Sequence, residues 1–240
     1  MFRNWLLCAR LGKYSMENRA TPISRVTRSK EEAKASYDMI SRWYDVLVGW
    51  GEKKYRETGL ERLRTAPGER VLEIGFGTGY CTLALAQSVG SSGKVYGLDL
   101  SEGMRHITQS RVEQAGLAER VELKLGDAAH LPFEANFFDA VFTSFTLELF
   151  DTPEIPVVLQ QCRNVLRSGG RICVVAMSKE GKDSATRRLY EWGHSKFPNY
   201  IDCRPIYVGK VLEEAGFQIV DKTTKPYWGL PVEIVVAQKP

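Results

Sequence analysis

The sequence is poor in the residues that build metal centres and disulfide frameworks. Its 240 residues include five cysteines and three histidines. No two cysteines have the C-x-x-C spacing of a zinc site or a redox-active pair, and the histidines stand isolated. An odd number of cysteines also fits a reducing compartment, in which disulfides are rare. We therefore expect neither a bound metal nor a disulfide framework.

The chain also lacks a long apolar run and, over most of its length, an excess of charge. No stretch approaches the roughly 18 consecutive apolar residues that cross a bilayer, although peripheral contact with a membrane stays open. Residues 1–30 hold seven Lys or Arg and one Glu, whereas residues 31–240 hold 26 basic and 28 acidic residues. Because a nucleic-acid-binding domain needs a basic patch, we expect no nucleic-acid partner.

A glycine-rich turn is the most informative feature that the sequence does contain. Residues 71–80 read VLEIGFGTGY, a short apolar run followed by Gly75, Gly77 and Gly79. This pattern predicts a strand entering a tight turn, where glycine permits positive φ and close approach of a ligand to the backbone. Residues 81–89 are helix formers, so the free N–H groups of a new helix should face that ligand. Taken alone, the triplet fits a simple tight turn equally well.

The spacing of these glycines argues against a dinucleotide ligand. A dinucleotide fingerprint reads G-x-G-x-x-G, whereas this chain has G-x-G-x-G. Glu73 stands two residues before the first glycine, and its carboxylate would repel a pyrophosphate but accept from an ammonium. The turn therefore favours a nucleotide that carries an amino acid. An NAD-dependent oxidoreductase is left as the alternative.

A carboxylate follows the next strand pattern. Residues 94–100 contain Asp99 at their end, 20 residues after Gly79, where a carboxylate can accept from both hydroxyls of a ribose. Asp99 could instead cap the helix predicted for residues 102–115. Ser101 is the better cap, because its hydroxyl reaches the first free N–H groups of that helix. We therefore assign Asp99 to a ligand.

Two further strand patterns also end in polar residues. Residues 121–125 run into Asp127 and Ala128, where a carboxylate beside a small residue suits an adenine ring, although a solvated loop aspartate explains the pattern equally well. Residues 138–145 form a fourth strand pattern with Ser144 near its end. The polar residues thus recur at the ends of successive strands, which is where ligands bind in open α/β sheets.

The alternation of strand and helix patterns predicts the fold. A helix from about residue 153 to residue 167 is followed by a fifth strand at 171–177, and two more strands are predicted at 217–224 and 232–239. Four successive strand-then-helix passages imply right-handed crossovers and a parallel sheet with helices on both faces.

In order and spacing, these motifs resemble the class I S-adenosylmethionine-dependent methyltransferases, and within them the ubiquinone and menaquinone biosynthesis methyltransferases. The resemblance covers residues 37–239 and rests on the segments VLEIGFGTG, GLDLS, GDAAHLPF and LRSGGRICVV. It implies a Rossmann-like α/β fold with a seven-stranded sheet, mostly parallel with an antiparallel C-terminal strand. It also implies S-adenosyl-L-methionine as the cofactor.

The resemblance assigns the cofactor site residue by residue. It implies that Thr78 and the glycines lie against the methionine part, and that Asp99 binds the ribose. Asp127 and Ala128 are expected to meet the adenine, and Ser144 to lie near the methyl group. The expected cofactor-binding residues are Glu73, Gly75, Gly77, Thr78, Gly79, Asp99, Leu100, Met104, Asp127, Ala128 and Ser144.

One segment departs from the quinone-pathway pattern, which leaves the methyl acceptor open. Those relatives carry serine-phenylalanine-glycine leading to arginine and asparagine, whereas residues 144–150 read SFTLELF. We expect a small apolar or aromatic acceptor such as a quinol, a phenol or a lipid headgroup. Transfer by in-line displacement needs an aligned acceptor, exclusion of water and, for a protonated acceptor, a base. The candidate bases are His194, Tyr37 and Tyr44. A non-catalytic S-adenosylmethionine-binding module is a further alternative.

The N-terminal part of the chain carries separate expectations. Residues 1–30 are rich in Arg and poor in acids, which is typical of a transit peptide or of a disordered extension. We expect a cytoplasmic protein, with mitochondria as the alternative. The methyltransferase domain should span residues 31–240 and begin with a helical cap at about 31–65. A chain that starts near Lys30 is expected to fold and to stay active.

An insertion is predicted between the fifth strand and the last helix, at about residues 179–204. Leu189, Trp192 and Phe197 recur there at helical spacing, which predicts one buried face. That face could belong to the core or form an apolar lid over the acceptor and the methyl group. Nothing in the sequence predicts the oligomeric state.

Overall fold

A computed structural model describes residues 23–26, 28–41, 50–181, 184–196, 203–227 and 229–240. Tyr44 and Phe197, both named above, lie outside the described residues. No helix in the described part of the chain combines the length and the apolar character needed to cross a membrane.

One seven-stranded sheet organises the molecule, with the strand order β3-β2-β1-β4-β5-β7-β6. β7 pairs antiparallel with both of its neighbours, and the other pairs are parallel. The expected fold class is therefore confirmed. The strands are β1 (Arg70–Ile74), β2 (Lys94–Asp99), β3 (Val121–Leu125), β4 (Phe138–Ser144), β5 (Leu166–Met177), β6 (Gln218–Tyr227) and β7 (Leu230–Gln238).

The helices cover both faces of this sheet. They are α1 (Lys30–Ile40), α2 (Trp50–Leu63), α3 (Tyr80–Ser88), α4 (Glu102–Gln114), α5 (Ile155–Val165), α6 (Ala185–Lys196) and α7 (Val208–Glu214), with short 3₁₀ turns at Ala118–Arg120 and Leu147–Leu149.

The boundary between α5 and β5 differs from the sequence-based expectation. α5 ends at Val165, and β5 begins at once with Leu166 instead of at residue 171. Leu166 pairs with Phe138, but the next pair joins Arg171 to Ala140, so residues 167–170 bulge out of the ladder. Gly169, which has φ of 74°, makes a turn within the strand.

Side chains of the central strands alternate between two apolar cores, one on each face of the sheet. Val71 and Phe142 belong to the core shared with α2 and α3, whereas Leu72 and Val141 belong to the core shared with α5 and α7. A strand buried on both faces must be apolar at nearly every position, which explains the continuous apolar runs in the sequence.

The topology fixes where a ligand site can lie. From β1 the chain proceeds outward through β2 to β3, and then returns to form β4 on the other side of β1. The crossover connections after β1 and β4 therefore diverge, which leaves a crevice at the carboxyl ends of these two strands. This is the edge at which the glycine turn and Ser144 lie.

A segment before α1 is attached to the sheet domain by polar contacts. We call residues 23–26 and 28–30 the N-terminal strap, which ends at Lys30, the first residue of α1. The Arg25 guanidinium binds the Asp151 carboxylate through Nε at 2.8 Å and Nη2 at 2.5 Å. Arg204, which is fully buried, donates to the carbonyl oxygen of Ser24 and to that of Phe150. Burial lowers the pKa of Arg204 to about 10.

These contacts bear on the expected domain boundary. Residues 1–30 are expected to lie outside the folded domain, yet Ile23 packs against the core on the α5 side. Removing the strap would also leave the buried Arg204 without one of its carbonyl partners, which is costly in a low-dielectric interior. Residues 23–26 and 28–30 therefore contact the sheet domain through residues far along the chain, and the residue at which the domain begins stays a prediction.

We predict that two N-terminal truncations behave differently. Deleting residues 1–29 should lower the melting temperature by roughly 5–10 °C, because about 2–3 kcal/mol of buried polar contacts are lost. Deleting residues 1–20 keeps every strap contact and serves as the control. Thermal unfolding of the three chains by circular dichroism provides the measurement, and equal melting temperatures would contradict the role of the strap.

Candidate cofactor and active site

The glycine turn adopts the backbone conformation that its sequence requires. Gly75, Gly77 and Gly79 have φ of 74°, 51° and 84°, and α3 starts directly after Gly79. A Cβ at Gly79 would stand 2.7 Å from Thr108 Cγ2, whereas a Cβ at Gly77 would meet no atom within 4 Å. Gly79 is thus needed for packing between α3 and α4. Gly77 faces open space, which is where a ligand could approach.

One cavity lies at this edge of the sheet, and most of the expected cofactor-binding residues line it. Its walls come from the glycine turn, the ends of β2 and β4, the N-terminal strap, α1 and α2. Among the expected residues, those that line it are Glu73, Gly75, Gly77, Thr78, Asp99, Leu100, Met104, Ala128 and Ser144. Gly79 and Asp127 are not among the lining residues.

Asp99 ties the glycine turn to the start of α4. Its Oδ2 accepts from the backbone N–H of Gly77 at 2.9 Å, and its Oδ1 accepts from that of Ser101 at 3.0 Å. The predicted cap is also present, because Ser101 Oγ accepts from the backbone N–H of Met104. A carboxylate has about four acceptor positions, and Asp99 also accepts from the backbone N–H of Leu100, so it keeps capacity for a ribose hydroxyl.

Glu73 is a buried carboxyl group beneath the turn. It is 2% exposed, and Thr82 Oγ1 donates to its Oε2 at 2.6 Å. Burial, with a smaller contribution from the charge of Asp99, raises the pKa of Glu73 to about 8. At neutral pH the group is therefore largely protonated, so the expected repulsion of a pyrophosphate is weak. A cation brought to this side chain would favour the ionised form.

Asp127 lies against the N-terminal strap instead of the cavity. Its Oδ2 is 2.6 Å from Nζ of Lys30, which is also 2.5 Å from Oε1 of Glu154. Its Oδ1 accepts from the backbone N–H of Ala129. Lys30 and Glu154 themselves line the cavity. The sequence motif does not indicate that a lysine 97 residues away binds this carboxylate.

Helix α2 contributes a charged pair that the sequence does not predict. Glu52 and Arg56 both line the cavity, although they are only 5% and 8% exposed. Oε2 of Glu52 is 3.2 Å from Nη2 of Arg56. An acid and a base four residues apart are common on solvated helix faces, so their spacing alone gives no indication of a buried site.

Phe145 is a second lining residue that could not be found from the sequence. It follows β4 with φ of 50°, an outlier for a bulky side chain. It is buried in the cavity wall, and its ring meets Tyr55 edge to face at 6.4 Å. Backbone strain of this kind costs about 1–3 kcal/mol and is concentrated at functional sites. No local pattern in the segment SFTLELF indicates it.

The three candidate bases are placed differently. Tyr37, on α1, lines the cavity, and the Arg28 guanidinium lies 5.7 Å from the centre of its ring. His194, on α6, is 5% exposed and is not among the lining residues. Tyr44 is outside the described residues.

The expected roles of the 179–204 insertion require correction. None of its described residues lines the cavity, so in the described part of the chain it does not cover the expected methyl position. Leu189 and Trp192 are also not core residues, since they are 67% and 55% exposed. The physical reason is that α6 packs through its other face, where Arg187 and His194 are buried.

We predict that Glu73 makes the stability of the protein depend on pH. Its pKa in the folded state, about 8, lies above the usual 4.5. Its contribution to the free energy of unfolding is therefore fully present below about pH 4.5 and is lost as the pH rises towards 8. Glu73→Gln offers an amide oxygen that can accept from Thr82 in place of the carboxyl oxygen, but it cannot titrate. The measurement is denaturant unfolding of both proteins across this range, and parallel stability curves would rule out the shift.

Comparison with known proteins adds independent evidence. Residues 71–170 match a family described as a methyltransferase domain. The demethylmenaquinone methyltransferase of Geobacillus stearothermophilus is 36% identical over 172 residues, which are 72% of this chain and 70% of that protein. Two other enzymes of that name, from further Geobacillus strains, match over 66% and 60% of their own lengths.

Solved structures agree on the fold. A SAM-dependent methyltransferase from Aquifex aeolicus superimposes with a TM-score of 0.57 at 23% identity, over 76% of this chain and 89% of that one. The [4+2]-cyclase SpnF superimposes with a TM-score of 0.72 at 19% identity, over 92% of this chain and 99% of that one. Since SpnF is described as a cyclase, the shared fold does not by itself identify the reaction.

The sequence match decides the family. The similarity to demethylmenaquinone methyltransferase extends over more than two thirds of that relative, and three of the four motif segments contribute residues to one cavity. The chain belongs to the class I S-adenosylmethionine-dependent methyltransferases, in the family of the ubiquinone and menaquinone biosynthesis methyltransferases.

Proposed function

We propose that this enzyme methylates a quinol-like acceptor, the kind of acceptor that the name of its demethylmenaquinone methyltransferase relatives indicates. The observation that carries the proposal is the composition of the cavity wall after β4. Phe145, Leu149 and Phe150 line the cavity there, in the segment that departs from the quinone-pathway motif. The motif residues differ, but the wall is still apolar and aromatic, as a flat hydrophobic ring requires.

The geometry supports a specific placement of S-adenosylmethionine. Its ammonium would lie near Glu73 and its carboxylate near Arg56, the buried cation of the cavity. Its ribose would bind Asp99. The adenine would lie among residues on the other side of the glycine turn, namely Leu100, Met104, Gly126 and Ala128.

Asp127 has a conditional role in this placement. Its carboxylate is bound to Lys30, so an adenine amino group could donate to it only if that ion pair opened or shifted. Lys30 retains a second carboxylate partner in Glu154, so such a shift would not leave the lysine unpaired. The role of Asp127 in adenine binding stays a prediction.

The proposed reaction is a direct displacement at the methyl carbon. A carbon or oxygen atom of the acceptor forms a bond to the methyl group as the bond between that group and the sulfonium breaks. The electron pair of the broken bond goes to sulfur, which leaves as a neutral thioether, and the acceptor's proton goes to a base. Among the described candidates for that base, Tyr37 is the one in the cavity wall. Alignment and exclusion of water supply most of the remaining rate enhancement.

We predict that Gly77 is required for the cofactor and not only for the turn. Gly77→Ala should lose about 1–2 kcal/mol of stability, because alanine disfavours positive φ. It should also bind S-adenosylmethionine roughly tenfold more weakly or worse, since the added methyl group would point into the cavity. Isothermal titration calorimetry gives the affinity.

Gly116→Ala is the matched control for that experiment. Gly116 also has positive φ, at 68°, and a Cβ there would likewise meet no atom within 4 Å. It follows α4 and is not a lining residue of the cavity. The control should therefore lose similar stability but bind the cofactor normally. Equal affinities in the two variants would disprove the placement of the methionine part.

The test of the acceptor uses S-adenosylmethionine with an isotopically labelled methyl group. The enzyme is incubated with a reduced demethylated naphthoquinone, with catechol, or with a phospholipid, and products are identified by mass spectrometry. Labelled naphthoquinol is the expected product. Label in catechol or phospholipid alone would refute the quinol assignment, and tight cofactor binding without any product would indicate a non-catalytic binding module.

The same assay tests the base. Tyr37→Phe should lower kcat by roughly 100-fold if the phenolate form of Tyr37 accepts the proton, because general base catalysis contributes about 10²–10⁴-fold. Affinity for S-adenosylmethionine should stay unchanged, since only the hydroxyl is removed. A variant with full turnover would show that Tyr37 only packs against the substrate.

A further inference from the structure

An ammonium and a carboxylate lie side by side in the cavity wall, and the cofactor placement proposed above gives neither of them a ligand. Nζ of Lys30 is 2.5 Å from Oε1 of Glu154, and both residues line the cavity. Their side chains are 34% and 35% exposed. The wall therefore presents a hydrogen-bond donor and a hydrogen-bond acceptor next to each other.

This pair lies at the part of the cavity that is proposed to hold the adenine. Nζ of Lys30 is 2.6 Å from Oδ2 of Asp127, and the two neighbours of Asp127 in the chain, Gly126 and Ala128, line the cavity. The backbone N–H of Gly126 donates to the carbonyl oxygen of Asp99, the residue expected to bind the ribose. Because the adenine is attached to the ribose, it would lie within reach of the ammonium.

The lysine is held in place by the start of α1 and by its two carboxylate partners. Ser29 Oγ accepts from the backbone N–H of Glu32 at 3.2 Å, and Oε2 of Glu32 accepts from that of Ser29 at 2.8 Å. Burial opposes the charge of Lys30, but its hydrogen bonds to Asp127 and Glu154 outweigh that effect and raise the pKa of the ammonium. The group therefore stays protonated at neutral pH. It has three donors, and these two bonds use two of them.

The glutamate is positioned by the turn that also binds the N-terminal strap. The backbone N–H of Glu154 donates to the carbonyl oxygen of Asp151 at 2.8 Å, and the Asp151 carboxylate binds Arg25. Glu154 precedes the first residue of α5, and its side chain makes no capping bond to that helix. A carboxylate has about four acceptor positions, so this one can accept from a ligand while it stays bound to Lys30.

We propose that Lys30 and Glu154 together recognise the adenine of S-adenosylmethionine. Adenine presents an amino group, which donates hydrogen bonds, beside a ring nitrogen, which accepts one. Glu154 accepts from the 6-amino group, and Lys30 donates to the neighbouring ring nitrogen. The inference rests on the placement of the cofactor given under the proposed function, and it is independent of the identity of the methyl acceptor.

In this arrangement Asp127 positions the lysine and does not itself contact the cofactor. Both of its oxygens are engaged, Oδ2 with Lys30 and Oδ1 with the backbone N–H of Ala129, and it is not among the lining residues of the cavity. Direct binding of the adenine to Asp127 would require its ion pair to open or shift. Recognition by Lys30 and Glu154 leaves that ion pair intact.

Calorimetric titration of the full chain with two ligands tests the proposal. The ligands are S-adenosylhomocysteine and an analogue of it that lacks the 6-amino group. Wild type should bind the analogue roughly tenfold more weakly, because a hydrogen bond to a charged group is lost. Glu154→Ala should lose a similar factor for S-adenosylhomocysteine but bind the analogue as wild type does, since the group that Glu154 contacts is already absent. Damage to the fold would instead weaken both ligands alike.

The lysine is tested with the same two ligands. Lys30→Met should weaken the binding of both by roughly tenfold, because both keep the ring nitrogen. Lys222→Met is the matched control. Lys222 also lies between two carboxylates, at 2.7 Å from Glu180 and at 2.7 Å from Glu233, and its side chain is 33% exposed. It is not a lining residue of the cavity, so the control should bind both ligands normally.

Three results would overturn the proposal. An equal loss of both ligands in Glu154→Ala would show that the glutamate acts indirectly. Unchanged or tighter binding of S-adenosylhomocysteine by Lys30→Met would show that the lysine only blocks Asp127, and would assign the adenine to that aspartate. Equal affinity of wild type for the two ligands would show that the amino group is not recognised. None of these results bears on methylation of a quinol, which is measured by product formation.

Discussion

The site depends on the hydrogen bonds that the carboxylate of Asp99 accepts. This carboxylate accepts from the backbone N–H groups of Gly77 and Ser101, so it joins the glycine turn to the N-terminus of α4. Ser101 in turn donates to Asp38 Oδ1 at 2.5 Å, and Asp38 also accepts from the backbone N–H of Gly103. A continuous chain of hydrogen bonds therefore links the turn after β1 to the capping helix α1. The carboxylate of Asp99, which is expected to bind the ribose, therefore also helps to position helix α1.

A second constraint comes from the low dielectric around Glu73. A buried carboxyl group is stable in its protonated form, which is why its pKa rises to about 8. Such a group responds strongly to a cation, because ionisation and cation binding stabilise one another. S-adenosylmethionine carries a sulfonium and an ammonium. The buried acid thus adds a preference for a cationic ligand to the shape provided by the glycine turn.

The wall of the cavity is assembled from segments that are distant in sequence. The N-terminal strap is held by Asp151 and Arg204, and Lys30 at its end lies between two carboxylates. Helix α2 adds the pair of Glu52 and Arg56, and β4 ends in the strained Phe145. These elements surround the expected cofactor position with charged and aromatic groups. The strap therefore forms part of the cavity wall.

The sequence by itself predicted the parts of the protein that depend on local geometry. Strand β3 has the predicted bounds, Ser101 is the predicted cap, and the glycine turn has the predicted positive φ, because each follows from the conformational preferences of a few adjacent residues. The order of strand and helix then determined the sheet, and strand ends such as Asp99 and Ser144 were brought to one edge. Such local features can be predicted from the sequence because they depend on residues that are adjacent in the chain.

Only the tertiary structure decided which side chains meet across the fold. The ion pair of Lys30 with Asp127, the burial of Arg56 and the exposure of Trp192 each depend on how separate elements pack. A helical periodicity shows that α6 has two different faces, but it cannot show which face turns inward. That was decided by the hydrogen bonds of Arg187 and Tyr190, whose partners lie in the chain segments that flank the helix.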